Sequence, residues 1–135
     1  MNPTLISLCL FAGWTLLLVF VLANLRVVLS ITSEKAINSF LPDGTDLDGF
    51  GRRLTRAHLN CLEFLPVFGA VALAAFVSGQ LSVTDPLAMV VLYARLAQST
   101  VHMISVAAPA VLARASLFFI QLAIAVYWIF QLLTG

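Results

Sequence analysis

Between Leu5 and Leu25 the chain carries no Asp, Glu, Lys, Arg or His, and from Ala115 to its last residue it again carries none. Uncharged apolar runs of about 20 residues match the roughly 30 Å hydrocarbon core of a bilayer. In lipid only α-helices and closed barrels satisfy every backbone N–H and C=O internally, and runs without strand-like alternation select helices. With 61% hydrophobic residues, 10% charged residues and a mean hydropathy of +1.05, the 135-residue chain leaves no stretch for a soluble domain. The predicted fold class is all-α, an integral membrane four-helix bundle forming a single domain over residues 1–135.

The four spans are expected at about 3–29, 54–79, 86–106 and 109–132. The first is read as a retained helix rather than a signal peptide, because no Lys or Arg precedes it and its apolar part exceeds a normal leader core. A polar loop over about 30–53 follows, where Glu34, Lys35, Pro42-Asp43-Gly44, Asp46 and Asp48-Gly49 supply turn and solvent chemistry. The second span takes Pro66 in its interior, which membrane helices tolerate. Asp85-Pro86 reads as the start of the third, an acidic N-cap with proline at the first helical position. Cys9 and Cys61 fall within spans without metal spacing and are expected to be free thiols, and no metal site is expected.

Net charge is +1, so no basic excess points to nucleic acid, and the few charges matter by position. Arg26, Lys35, Arg52, Arg53 and Arg56 flank the first loop, and Arg114 lies beside the third connection. The positive-inside rule places those connections in the cytoplasm and both termini outside, in the inner membrane if the source is bacterial. No inverted repeat or broken pair of half-helices indicates a carrier.

Three spans carry polar stripes. Arg56, Asn60 and Glu63 recur at i, i+4, i+7 on the second, and Arg95, Gln98, Ser99 and His102 share a face of the third. Arg114, Phe118 and Gln121 continue the pattern on the fourth. Ionisable groups at membrane depth are costly unless paired or facing a wet cavity, so the stripes point to a shared pocket. Arg95 and Glu63 fall level near the bilayer centre, where an ion pair stapling two helices is expected, with a ligand role for Glu63 as the alternative. Arg56 reads either as a snorkelling interface residue or as a ligand group, and Arg114 either as an anchor or as a binder of something anionic. Asn60 serves helix–helix hydrogen bonding or ligand contact. His58 lies on the opposite face from Arg56, and Trp14, Tyr127 and Trp128 read as interfacial or lipid-facing aromatics.

The run Arg56-Ala-His-Leu-Asn60-Cys-Leu-Glu63-Phe-Leu-Pro66 resembles the R-A-x-x-N-x-x-E-x-x-P signature of the MAPEG family, the membrane-associated proteins in eicosanoid and glutathione metabolism. Ala94-Arg95 and Ala113-Arg114 are similar to shorter motifs of the same family. The resemblance implies a homotrimer of four-helix protomers holding glutathione, as cosubstrate, between neighbouring subunits near the cytoplasmic face. It implies that Arg56, Asn60 and Glu63 hold the tripeptide, with Gln98 and His102 beside them, that Arg26 helps with a carboxylate, and that Arg114 stabilises the thiolate. A hydrophobic electrophile would arrive from the lipid bilayer. Phe64, Gln98, His102 and Phe118 stand where well-studied eicosanoid members surround the site with tyrosines, which directs the expectation to a detoxifying transferase or peroxidase. The competing readings are a non-catalytic lipid-binding or scaffolding trimer of the same fold and an unrelated small channel or carrier.

Overall fold

The computed structural model describes residues 1–33 and 35–135, so Glu34, read above as loop chemistry, lies outside the described residues. Four helices follow one another: α1 (Pro3–Thr32), α2 (Gly49–Val77), α3 (Leu81–Ile104) and α4 (Ala108–Thr134). All four are long and apolar enough to cross a membrane. The side chain of Asn2 accepts the Leu5 N–H at 3.0 Å and Pro3 begins the first turn, so α1 starts where an N-cap and a pre-set φ coincide.

The helices run alternately up and down. At one end Thr4 of α1 donates its backbone N–H and hydroxyl to the Asp85 carboxylate of α3. At the other, Arg53 Nε of α2 donates to the Met103 carbonyl of α3 at 2.7 Å. α3 touches the other three helices, whereas α1 and α4 do not meet, so α2 and α3 form the middle of the bundle. Its core is aromatic: the rings of Phe11, Phe64 and Phe68 lie together, and Phe68 meets Trp128 at 5.9 Å between centroids. Offset aromatic pairs at such spacing contribute beyond their buried area. Leu16 and Phe20 on α1 and Phe119, Val126 and Phe130 on α4 stay exposed, forming the surface that hydrocarbon would cover.

Three expectations are corrected. The loop is shorter than 30–53, because α1 continues to Thr32 and α2 begins at Gly49. Gly44 (φ 72°) in the loop and Gly49 (φ 56°) at the start of α2 are left-handed, and the turn between α2 and α3 reverses at Gly79 (φ 72°). Asp85-Pro86 does not start α3, which begins at Leu81 and carries Pro86 inside. The Asp85 carboxylate bonds Thr4 of another helix instead of capping its own, and the proline falls early enough that only the exposed Ser82 carbonyl loses its donor. Trp128 is fully buried against Phe68 rather than facing lipid.

Candidate functional site

On α2 two stripes run side by side. Ala57, Cys61, Phe64 and Phe68 point into the core, while Arg56, Asn60 and Glu63, about 100° round the helix, are exposed or half-buried. The second stripe faces a cavity of about 490 Å³ between α2, α3 and α4. Its walls are Arg56, Leu59, Asn60 and Glu63 from α2, Gln98 and His102 from α3, and Val111, Arg114, Ala115 and Phe118 from α4. A smaller space of about 310 Å³ continues it toward the loop end, adding Arg52 and Arg53 to the shared Arg56, His102 and Arg114.

The polar groups are arranged by type. Four guanidinium groups, those of Arg52, Arg53, Arg56 and Arg114, line the cavity and its continuation toward the loop, and Glu63 is the one carboxylate in the lining. Among the described residues the only ion pair is Lys35 with Asp46, at 3.1 Å in the loop, and neither Glu63 nor the arginines of the cavity form one. The amide nitrogen of Asn60 faces His102 Nδ1 at 3.4 Å, which leaves the His102 Nε2 side as the donor. The site offers cation, donor and carboxylate to one ligand, against an apolar wall of Val111, Ala115 and Phe118.

Six of the residues singled out from the sequence, Arg56, Asn60, Glu63, Gln98, His102 and Arg114, meet in this cavity. Arg26 does not. It sits on α1 with its guanidinium 5.8 Å from the Phe40 ring centre, and its buried Nε has no hydrogen-bond partner among the described residues. The expected ion pair between Arg95 and Glu63 does not form. Glu63 is exposed toward the cavity, whereas Arg95 is 0% exposed inside the bundle, where its Nε donates to Gln121 Oε1 at 3.0 Å. Its guanidinium carbon lies 5.4 Å from the ring centres of both Phe11 and Phe64 and 5.9 Å from that of Phe118, so ring faces replace a carboxylate as its partners. The apolar wall residues Leu59, Val111 and Ala115 have no chemical signature in the sequence, and only the packing of α4 against α2 and α3 brings them in.

The loop is fixed locally. Asp43 accepts the Thr45 N–H at 3.1 Å and hydroxyl at 2.8 Å, which hold its carboxyl below the usual 3.8. For Asp46 desolvation acts upward, but the hydrogen bond from Lys35 and nearby backbone N–H groups outweigh it, and the net shift is downward.

No curated protein and no solved structure matches the chain. A family model does match, over residues 4–134, and it includes all four helices and every wall of the cavity. The chain belongs to the MAPEG family.

Proposed function

We propose that the protein is a membrane-bound glutathione transferase, with peroxidase chemistry open to the same site, acting on hydrophobic electrophiles. The observation that carries this reading is the single cavity into which α2, α3 and α4 bring Arg56, Asn60, Glu63, Gln98, His102 and Arg114. Glutathione has two carboxylates, an ammonium and a thiol, and the lining supplies a complementary group for each. Arg56 holds a carboxylate, Glu63 the ammonium, and Asn60, Gln98 and His102 the peptide groups. Bound there, glutathione supplies a nucleophilic sulfur. Arg114 places a cation beside that sulfur, which favours the thiolate over the thiol and raises the fraction competent for attack. The apolar wall of Val111, Ala115 and Phe118 receives the electrophile and keeps water from the reacting carbon.

In this reading the protomers assemble as a homotrimer with the loop end in the cytoplasm and both termini outside. The exposed polar face of α2 supports assembly: Arg56 and Glu63 are open at the side of the protomer, where lipid alone would leave them unsatisfied. A neighbouring copy covers them, and its Arg26 completes the carboxylate site from across the interface. The same juxtaposition of arginines with an apolar wall also fits an anionic lipid held without chemistry, which is the second reading.

The test is the ultraviolet difference spectrum of the thiolate on adding glutathione to the purified protein in detergent, beside Arg114→Ala. A saturable thiolate band in the parent that disappears in the variant is the expected result. Binding of an anionic lipid with no thiolate band in either protein would overturn the transferase reading in favour of the second.

A further inference from the structure

Gln121 on α4 is 0% exposed and does not line the cavity, yet it connects a buried charge to a residue that does. Its Oε1 accepts from Arg95 Nε at 3.0 Å. Its Nε2 donates to Gln98 Oε1 at 2.7 Å and to the Leu117 carbonyl at 3.1 Å. Each end of this chain is chemically one-directional. An arginine Nε–H donates and never accepts, and a backbone carbonyl accepts and never donates. Both constraints select the same orientation of the Gln121 amide, and they leave its nitrogen facing Gln98. Gln98 answers with its oxygen, so its amide nitrogen is the end left for the cavity it lines.

We propose that Gln121, anchored by Arg95, is a positioning residue that sets the polarity of Gln98, so that the ligand must present a hydrogen-bond acceptor at that wall. An amide can ordinarily turn over to suit either kind of partner. Here turning Gln98 alone would break its bond from Gln121 and set two amide nitrogens against each other, and turning both amides together would set the Gln121 nitrogen against the Arg95 donor and leave the Leu117 carbonyl facing an oxygen. Specificity follows for a carboxylate, a carbonyl or a sulfur anion over an ammonium or hydroxyl donor at the Gln98 position. The surroundings of Arg95 explain why a cation can serve as the anchor: the rings of Phe11, Phe64 and Phe118 face it, and among the described residues no carboxylate competes for its Nε. The identity of the acceptor as a group of glutathione rests on the function proposed above, whereas the polarity of Gln98 does not.

The decisive variant is Gln121→Glu. A carboxylate at this position pairs with Arg95 but can no longer donate, so Gln98 must turn its nitrogen inward and show its oxygen to the cavity. The readout is side-chain amide NMR on protein labelled at glutamine, in which Gln80 and Gln131 are the only other signals of this type. In the parent, the Gln121 amide hydrogens exchange slowly with water and those of Gln98 exchange fast. In Gln121→Glu the Gln98 hydrogens should slow by about tenfold or more, and glutathione affinity should fall by about tenfold, the scale of one hydrogen bond to a charged group. In a Gln98→Leu background the same substitution should change affinity no further. Should Gln121→Glu fail to fold, Gln121→Met cuts the chain without reversing it, and the Gln98 amide should then show two environments.

Gln98 exchange that is indifferent to both Gln121 variants overturns the proposal, whether or not glutathione binds. Slowed exchange in a protein whose parent gives no response to glutathione upholds the polarity and discards glutathione as the ligand. A loss of affinity that persists in the Gln98→Leu background shows that Gln121 acts by another route, and also overturns it.

Discussion

Glu63 separates the proposed ligand from other anions of similar size. It is an exposed carboxylate, the one acidic group among the cations, amides and apolar side chains of the lining, and it forms no ion pair among the described residues. If it holds the ligand's ammonium, Glu63→Gln should lower glutathione affinity by about tenfold. A glutathione analogue without that ammonium should bind both proteins alike. Isothermal titration of the two ligands against the two proteins measures this, and equal loss for both would remove Glu63 from the ammonium site. In the loop the titratable aspartates give a prediction of opposite character. Asp43 and Asp46 have folded pKa values below their ordinary ones, so their contribution is fully present above about pH 4 and fades only as pH falls through the depressed values. Protease cleavage between Lys35 and Asp48 should therefore be unchanged from pH 8 to 5 and accelerate only below about pH 4, followed with an acid-stable protease.

Among the elements, the connection from α1 to α2 depends on a close approach. Gly44 has φ 72°, and a Cβ there would lie 2.7 Å from Thr55 Cβ on α2. Gly49 has a similar φ of 56° with nothing within 4 Å of a built Cβ. Gly49→Ala should cost about 1 kcal/mol, the conformational penalty alone, and Gly44→Ala clearly more, in thermal unfolding in detergent. Equal losses would mean that α2 yields at Thr55. The helices themselves were legible because charge-free length is a local property of the sequence, and the polar stripe on α2 was legible because i, i+4, i+7 spacing fixes a face. The helix ends were not. Asp85-Pro86 has the chemistry of a start, but Thr4, distant in sequence, claims its carboxylate. Arg95 is the corresponding failure at the site: the sequence puts it level with Glu63, but which of Glu63 and Gln121 it meets depends on side-chain direction across three packed helices.

For the whole molecule the placement of Arg26 is informative. It lies outside the cavity of its own protomer, on a helix that does not touch α4, and so would join the proposed glutathione site only in an assembly. Co-expressing Arg26→Ala with Arg114→Ala should then restore function that neither variant has alone. With random mixing about a quarter of the interfaces combine an intact Arg26 with an intact Arg114 across a heterologous contact. Conjugation assays on the co-purified mixture, with its mass measured in detergent, test both the shared site and the trimer. Activity no greater than the sum of the separate variants would place Arg26 outside the site.

Along α4, Ala115 and Phe118 line the cavity deeper into the membrane-spanning helix than Arg114 does, which in the proposed reading sets them among the acyl chains and Arg114 nearer the aqueous end. A solute meets such a wall only after dissolving in the bilayer, where each added methylene enriches it by about 0.8 kcal/mol. Selection among electrophiles would then be carried out largely by the membrane: apparent affinity should rise with oil–water partition along a homologous series, and a broad range of unrelated compounds would share one doorway.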